Sequence, residues 1–225
     1  YAAATISRMV IYGRQVWHWA VRRGIVASNP FSALKAGAQN NPERQAFIDR
    51  ATIQRVMDAS DDPEWQLLIA LGRFCGLRVP SEALNLRWRD VDFEANRLTI
   101  RAPKTGSARQ VPMFPEVRPL LLAALERAAD GAVYVVAKYR EGANVNPGLH
   151  KLVKRAGLTA WPRLWHSLRA SRQTELAAEY PIHTVCSWLG NGRLIAAGHY
   201  LQTTDADWQR AVAHPVAQCG AESAV

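Results

Sequence analysis

A histidine and an arginine stand three residues apart in the segment His166-Ser167-Leu168-Arg169. On a helix this spacing places the imidazole and the guanidinium on the same face, where both can reach one phosphate group. Such pairs are also common on ordinary helix surfaces, where they do no chemistry. The pair is therefore weak evidence by itself, and its weight depends on the residues that accompany it.

A second arginine, Arg78, lies in a tight turn between an apolar helical pattern and Pro80. Glu82 follows four residues after the arginine, and a carboxylate that holds a guanidinium prepares it to bind phosphate in a fixed orientation. The simpler interpretation is an ordinary ion pair beside the start of a helix.

Two further residues have side chains that are suited to breaking a phosphodiester. Lys104 lies at the tip of a predicted β-hairpin, where a mobile ammonium group can protonate a leaving oxygen as a general acid. Tyr200 ends the segment Ile195–Tyr200 and carries a phenol that can attack phosphorus as a covalent nucleophile. Taken singly, these residues are better explained as a solvated turn lysine and a core tyrosine.

The candidate residues lie in four separate motifs that follow one another along the chain. In order, the motifs are GLRxxSE, KTGxxRxVP, HSLR, and WLG followed by HY. Together they resemble the tyrosine recombinase, or phage integrase, family from about Gln45 to Ala211. Four motifs in the correct order make a specific signal. The resemblance implies that family's fold and the activity of a site-specific DNA recombinase.

The resemblance also implies a role for each motif residue. Such enzymes join a tyrosine to the 3′ phosphate of a cleaved strand, and a hydroxyl of a partner strand reverses the step without ATP. Fixed guanidiniums stabilise the charge that develops on the phosphate. Carried onto this chain, the predicted catalytic residues are Arg78, Lys104, His166, Arg169, Asn191 and Tyr200, with Glu82 and His199 in support.

Asn191 departs from the family pattern, which usually has His or Trp at this position, nine residues before the nucleophile. An asparagine amide still donates a hydrogen bond to a nonbridging oxygen, but it carries no charge and packs less ring surface. His199 directly precedes Tyr200 and is a candidate to compensate, although adjacent helical residues point about 100° apart. The substitution is compatible with reduced activity and does not imply its loss.

Other functions are compatible with parts of this pattern. A type IB topoisomerase-like nicking-closing enzyme would share the chemistry and relax supercoils, and a catalytically impaired relative would bind DNA without cleaving it. A basic helical protein unrelated to DNA would not explain four ordered motifs. The sequence contains no HExxH motif, paired-carboxylate metal cluster or Walker-type loop, so neither a metal nor a nucleotide cofactor is predicted.

Hydrophobic spacing predicts the elements that must position these residues. Helices are predicted over residues 5–23, 51–59, 63–75 and 115–129, a short helix starts at Pro80, and a hairpin joins strands 97–102 and 109–114. After residue 136, helical patterns alternate with Pro and Gly breaks. The predicted fold class is α+β, mainly helical with a small antiparallel sheet.

The net charge of +9 favours a polyanionic partner. The charge is concentrated in two blocks, because residues 1–45 contain six Lys or Arg and one Glu, and residues 138–172 contain eight Lys or Arg and one Glu. Double-stranded DNA is the predicted partner, and the resemblance implies a homotetramer on it. The predicted DNA contacts are Arg14, Arg22, Arg23, Lys151, Lys154, Arg155 and Arg163.

Asn29-Pro30 and the polar segment Lys35–Arg44 predict a domain boundary. Residues 1–42 look like the last part of a helical core-binding domain that clamps DNA, with its beginning missing, and residues 43–225 are the predicted catalytic domain. No apolar run approaches the roughly 20 residues that cross a bilayer, so no membrane partner is predicted. Three widely spaced cysteines fit neither a disulfide framework nor a metal site, and a cytoplasmic, nucleoid-associated protein is expected.

Overall fold

A computed structural model of the chain describes residues 1, 3–37, 44–102, 106–140, 142–204 and 207–209, without the side chains of residues 198 and 199. The chain divides into two compact units, Tyr1–Gln45 and Ala46–Val225. The second unit carries all four sequence motifs.

The first unit is built on one amphipathic helix, α1 (Ala3–Arg22), in agreement with the helix predicted over residues 5–23. Gly24 follows with a φ of +66°, a left-handed conformation that favours glycine and ends the helix. The chain then folds back, and the guanidinium of Arg14 donates hydrogen bonds to three carbonyls of the segment 31–34. Arg14 therefore ties the helix to the turn that follows it.

The second unit begins with two helices whose first turns are capped by aspartates. α2 (Arg50–Asp58) starts after Asp49, and α3 (Pro63–Arg73) starts after Asp62. Each aspartate accepts a hydrogen bond from a backbone amide of the first turn, which satisfies a donor that has no partner inside the helix. Residues 67–71 of α3 are all buried, so α3 is the central helix of this unit.

Short antiparallel strands form a sheet in the order β1-β2-β3. They are β1 (Val91–Asp92), β2 (Arg97–Arg101) and β3 (Ala108–Pro112). Leu98 pairs with Val111, and both side chains are buried in the core. The predicted hairpin is confirmed, and β1 adds a strand that the sequence pattern did not indicate.

The rest of the unit is helical. Its helices are α4 (Arg118–Glu126), α5 (Asn146–Arg155), α6 (Leu164–Glu179), α7 (Ile182–Leu189) and α8 (Arg193–His199). The arrangement confirms the predicted fold class, mainly helical with a small antiparallel sheet. Within the described residues, no helix is both long and apolar enough to span a membrane.

The short helix predicted to start at Pro80 is wrong. Residues 79–85 form consecutive turns instead. One carbonyl, that of Arg78, accepts hydrogen bonds from two backbone amides, and another, that of Ser81, accepts from a side-chain amide. The backbone hydrogen bonds of this segment span three, four or five residues, so the regular ladder of an α-helix, in which each bond spans four, does not form.

Helix α6 is fixed to α3 and to the beginning of the second unit by buried polar groups. The amide of Ile48 donates to Ser171 Oγ over 2.7 Å, and its carbonyl accepts from the guanidinium of Arg73 over 2.9 and 3.2 Å. Arg73 is fully buried and also forms an ion pair with Glu175. Arg172 donates to the same carboxylate over 3.3 Å. These contacts join three separate parts of the chain in one network.

Replacing Arg73 by Met should lower the free energy of unfolding by about 3–5 kcal/mol, because Glu175 loses its main partner in a largely buried site. Chemical unfolding in urea, followed by circular dichroism, measures this loss. Arg50→Met is the matched control, because Arg50 pairs with Glu116 through a side chain that is 57% exposed. We expect the control to change stability by less than about 1 kcal/mol. Equal losses in the two variants would contradict the role of the buried pair.

Candidate active site

Glu82 is the centre of a cluster of arginines. Its side chain is 1% exposed, and each of its two oxygens accepts from one nitrogen of the Arg109 guanidinium, over 2.8 and 2.7 Å. Arg78 donates to the same carboxylate from Nη1 over 2.5 Å and from its backbone amide over 2.8 Å. The carboxylate therefore holds two arginines that come from different elements, the turn after α3 and strand β3.

Arg169 approaches the same carboxylate from helix α6. Its Nη1 lies 4.0 Å from Oε2 of Glu82, and its side chain is 3% exposed. The guanidinium donates to the carbonyls of Gly76 and Leu189, the latter over 2.5 Å. Arg169 is thus held between the start of the turn formed by residues 76–78 (the GLR turn) and the end of α7.

The cluster carries an excess of positive charge. Burial alone would raise the pKa of the Glu82 carboxyl group, but hydrogen bonds and charges from Arg109 and then Arg78 outweigh it and lower this pKa to about 2. Burial, followed by the charge of Arg78, lowers the pKa of the Arg169 guanidinium to about 10, so it stays protonated at neutral pH. Three guanidiniums around one carboxylate leave two positive charges uncompensated, which favours binding of an anion.

Two glycines allow the chain to pack closely around the cluster. Gly76 has a φ of +62°, and a Cβ at this position would lie 2.3 Å from Leu189 Cδ2. Gly190 has a φ of +69°, and a Cβ there would lie 2.9 Å from Arg109 Cδ. A larger residue at either position would displace these side chains and strain the backbone.

Tyr200 lies beside two of the predicted catalytic residues. Its ring stacks on the imidazole of His166 with the centroids 4.8 Å apart, and the guanidinium carbon of Arg169 lies 5.5 Å from the ring centroid. The backbone carbonyl of Tyr200 accepts from Thr174 Oγ1 over 3.1 Å. The same hydroxyl accepts from the amide of Gln202 over 3.2 Å. Thr174 thus fixes the segment that carries the tyrosine.

Asn191 follows α7 and borders the cluster. Its Nδ2 donates to Oε1 of Gln173, on helix α6, over 3.0 Å. The carbonyl of the preceding residue, Gly190, accepts from Arg78 Nη2 over 2.9 Å. The segment after α7 is therefore attached both to the GLR turn and to α6.

Two predicted site residues lie outside what the structure describes, namely Lys104 and the side chain of His199. In the sequence, residue 104 falls between β2 and β3. Arg101 and Ala108 form the last described pair of the β2–β3 ladder.

The predicted DNA contacts have different surroundings. Those that are exposed and form no ion pair with another described residue are Arg22, Arg23, Lys151, Lys154 and Arg163. Arg14 binds carbonyls of its own unit, and Arg155 forms an ion pair with Asp61 over 2.6 Å. The DNA contacts of all seven residues stay predictions.

Sequence reasoning missed three residues of the site, namely Arg109, Gln173 and Thr174. Arg109 is the arginine of the KTGxxRxVP motif, so a signal for it was available. Gln173 and Thr174 lie four and five residues after Arg169 on α6, where both are buried. Polar residues inside an otherwise buried stretch of helix were the signal that could have found them.

The buried thiols do not belong to this cluster. Cys75 and Cys186 are free cysteines. Burial raises the pKa of the Cys75 thiol to about 12, which keeps it protonated and unreactive. In the part of the chain that the structure describes, no group of three or more His, Cys, Asp or Glu side chains is arranged to hold a metal ion.

The low pKa of Glu82 predicts a pH-dependent contribution to stability. Because the folded-state pKa of about 2 lies below the ordinary value of 4.5, the contribution is complete above pH 4.5 and is lost as the pH falls toward 2. Glu82→Gln should therefore lower the free energy of unfolding by about 3 kcal/mol more at pH 7 than at pH 2. Urea unfolding from pH 7 to pH 2 measures how the difference in free energy of unfolding between the two proteins narrows.

The control for this experiment is Glu94→Gln, which removes one negative charge at an exposed position. The interpretation of Glu82 is contradicted if its variant differs from the unmodified protein by the same free energy at every pH.

Comparison with known proteins identifies the family. The model of the phage integrase family matches residues 46–207. Similar curated proteins include a tyrosine recombinase XerC-like protein of Caldanaerobacter subterraneus subsp. tengcongensis, which is 23% identical over 86% of this chain. Tyrosine recombinase XerA of Pyrococcus horikoshii is 26% identical over 71% of this chain. The chain spans 60% and 58% of the lengths of these two relatives.

The fold is also similar to that of solved integrases. A lambda integrase tetramer bound to a Holliday junction matches with a TM-score of 0.67 and 18% sequence identity, over 84% of this chain and 59% of that chain. At this identity the likeness shows the fold alone. The family match covers well over half of the chain and includes the arginine cluster and Tyr200. The chain therefore belongs to the phage integrase family.

Proposed function

We propose that this chain is the catalytic part of a site-specific recombinase that breaks and rejoins double-stranded DNA through a covalent bond to Tyr200. The observation that carries the proposal is the position of the Tyr200 ring, which contacts His166 and lies 5.5 Å from the guanidinium carbon of Arg169. A nucleophile and a group that stabilises anionic charge are thus next to each other. Their proximity is the first geometric requirement of covalent phosphoryl transfer.

The hydrogen bonding of Arg169 supports a phosphate as the ligand of this site. Its Nε is buried and has no hydrogen-bond partner among the described atoms. A buried, charged donor without an acceptor is costly, and a nonbridging phosphate oxygen would supply the acceptor. Arg78 is 39% exposed and can bind the same group from the solvent side.

In the proposed reaction the phenol of Tyr200 loses its proton to solvent water, and its oxygen attacks the phosphorus. The bond from phosphorus to the 5′ oxygen breaks, and Lys104 protonates this oxygen to leave a 5′ hydroxyl. Arg78, Arg169, His166 and Asn191 stabilise the negative charge on the nonbridging oxygens. The 3′ phosphotyrosine conserves the energy of the broken bond, so a hydroxyl from a partner strand can rejoin the DNA without ATP.

The net charge supports the choice of DNA as substrate. The chain carries +9, and most of its candidate DNA contacts are exposed on α1, on α5 and before α6. Contacts to phosphates fix a protein on the duplex without selecting a sequence. We propose a homotetramer on two DNA sites, in line with the lambda integrase tetramer on a Holliday junction.

A suicide-substrate assay tests the nucleophile. The protein is incubated with nicked duplexes from the ends of the element that carries its gene, and covalent adducts are separated on a denaturing gel. We expect an adduct with the unmodified protein and with Tyr180→Phe, the matched tyrosine control, and none with Tyr200→Phe, which lacks the attacking oxygen.

The other outcomes of this assay point to the alternatives. Retarded complexes without any adduct would overturn the proposal in favour of a protein that only binds DNA. In a separate assay on supercoiled plasmid, relaxation without strand exchange would instead indicate a topoisomerase-like activity.

The hydroxyl of Thr174 should matter for the rate of adduct formation. Thr174→Val removes both hydrogen bonds to the Tyr200 segment at nearly constant volume, and we expect the single-turnover rate to fall about 10-fold while DNA affinity is unchanged. Thr174→Ser keeps the hydroxyl and should retain most of the rate. Equal rates for the Val and Ser variants would rule out this positioning role.

A further inference from the structure

The buried glutamine on helix α6 is not explained by the fold. Gln173 is 0% exposed and lies four residues after Arg169, which places the two side chains on the same face of the helix. A buried amide must be fully hydrogen-bonded to repay its loss of water contacts. Gln173 is not, because its Nε2 has no partner among the described atoms. An apolar side chain of the same length would fill this space at a lower cost.

The side chain that Gln173 does contact is that of Asn191. The distance from Asn191 Nδ2 to Gln173 Oε1 is 3.0 Å. The oxygen of a glutamine amide accepts hydrogen bonds and cannot donate them. In this arrangement the nitrogen end of the Asn191 amide faces α6.

This contact leaves Asn191 with one further N–H, because its amide nitrogen carries two hydrogens. Asn191 Oδ1 is buried and, like Gln173 Nε2, has no partner among the described atoms. Thus only one of the available hydrogen bonds between the two amides is formed. If Asn191 alone turned over, its oxygen would face Gln173 Oε1, and Gln173 would have to turn as well to restore the hydrogen bond.

We propose that Gln173 is a positioning residue, which holds the Asn191 amide beside the arginine cluster, where an N–H that Gln173 does not use can donate to a nonbridging oxygen of the scissile phosphate. The proposal rests on the recombinase function given above and adds a residue to it. Because the two amides are hydrogen-bonded to each other, Asn191 keeps a hydrogen bond to Gln173 only if both turn over together, and in either arrangement the bond holds Asn191 next to α6.

The test is a double-mutant cycle on the rate of covalent adduct formation at saturating DNA. Gln173→Met keeps the length and volume of the side chain and removes its hydrogen bonds. With Asn191 present, we expect this change to slow single-turnover cleavage about 10-fold. In an Asn191→Ala background the same change should alter the rate by less than about 2-fold, since the group that it orients is absent.

Two further measurements separate orientation from general structural damage. DNA affinity and the melting temperature should be unchanged or higher in Gln173→Met, because a partly unpaired buried amide has been replaced by an apolar group. Gln66→Met is the matched control. Its amide binds the carbonyls of Met57 and Ser60 outside the cluster, so its loss should affect stability and leave the cleavage rate unchanged.

The outcomes distinguish this inference from the function on which it rests. If the unmodified protein forms no adduct, the proposed function fails and the inference fails with it. If the adduct forms but Gln173→Met costs the same factor with Asn191 and with Ala at position 191, only the inference is overturned.

Discussion

The arrangement of the site depends on the carboxylate of Glu82. Three guanidiniums converge on a small, largely buried volume, where their mutual repulsion is strong because little water screens it. One carboxylate offsets part of this repulsion and fixes two of the arginines through hydrogen bonds. Backbone carbonyls supply the remaining acceptors. Without the carboxylate, the arginines of the turn after α3, strand β3 and helix α6 would repel one another without a compensating negative charge.

The carbonyls that complete the cluster come from a few specific places in the chain. Gly76 and Leu189 accept from Arg169, Trp188 accepts from Arg109 over 2.7 Å, and Gly190 accepts from Arg78. Most of these acceptors lie at the end of α7, in or next to the motif that was recognised as WLG. The WLG motif therefore contributes to the cluster through its backbone carbonyls, which accept hydrogen bonds from the arginines. The glycine permits the backbone to turn its carbonyl toward the arginines.

Much of the site could be predicted from the sequence because its partners are local. Arg78 and Glu82 are four residues apart, and His166 and Arg169 are three apart, so helical and turn geometry alone indicated that each pair would meet. The regular hydrophobic spacing also indicated most of the helices and the hairpin.

The parts that escaped prediction involve long-range contacts. Arg109 reaches Glu82 across 27 residues, and this contact exists only because strand β3 lies next to the turn after α3. The pairing of Gln173 with Asn191 likewise depends on how α7 packs against α6. The helix expected at Pro80 failed for a local reason instead, since the backbone hydrogen bonds of this segment span different numbers of residues, which no hydrophobic periodicity reveals.

Both backbone polar groups of Ile48 are hydrogen-bonded, and this restricts how the peptide can move. Its amide is bonded to Ser171 and its carbonyl to Arg73, so the peptide at the start of the second unit cannot shift without moving α6 or breaking buried hydrogen bonds. Helix α6 is 16 residues long and also carries His166 and Arg169. A displacement of the Ile48 peptide would therefore be passed to the helix that holds these proposed catalytic residues.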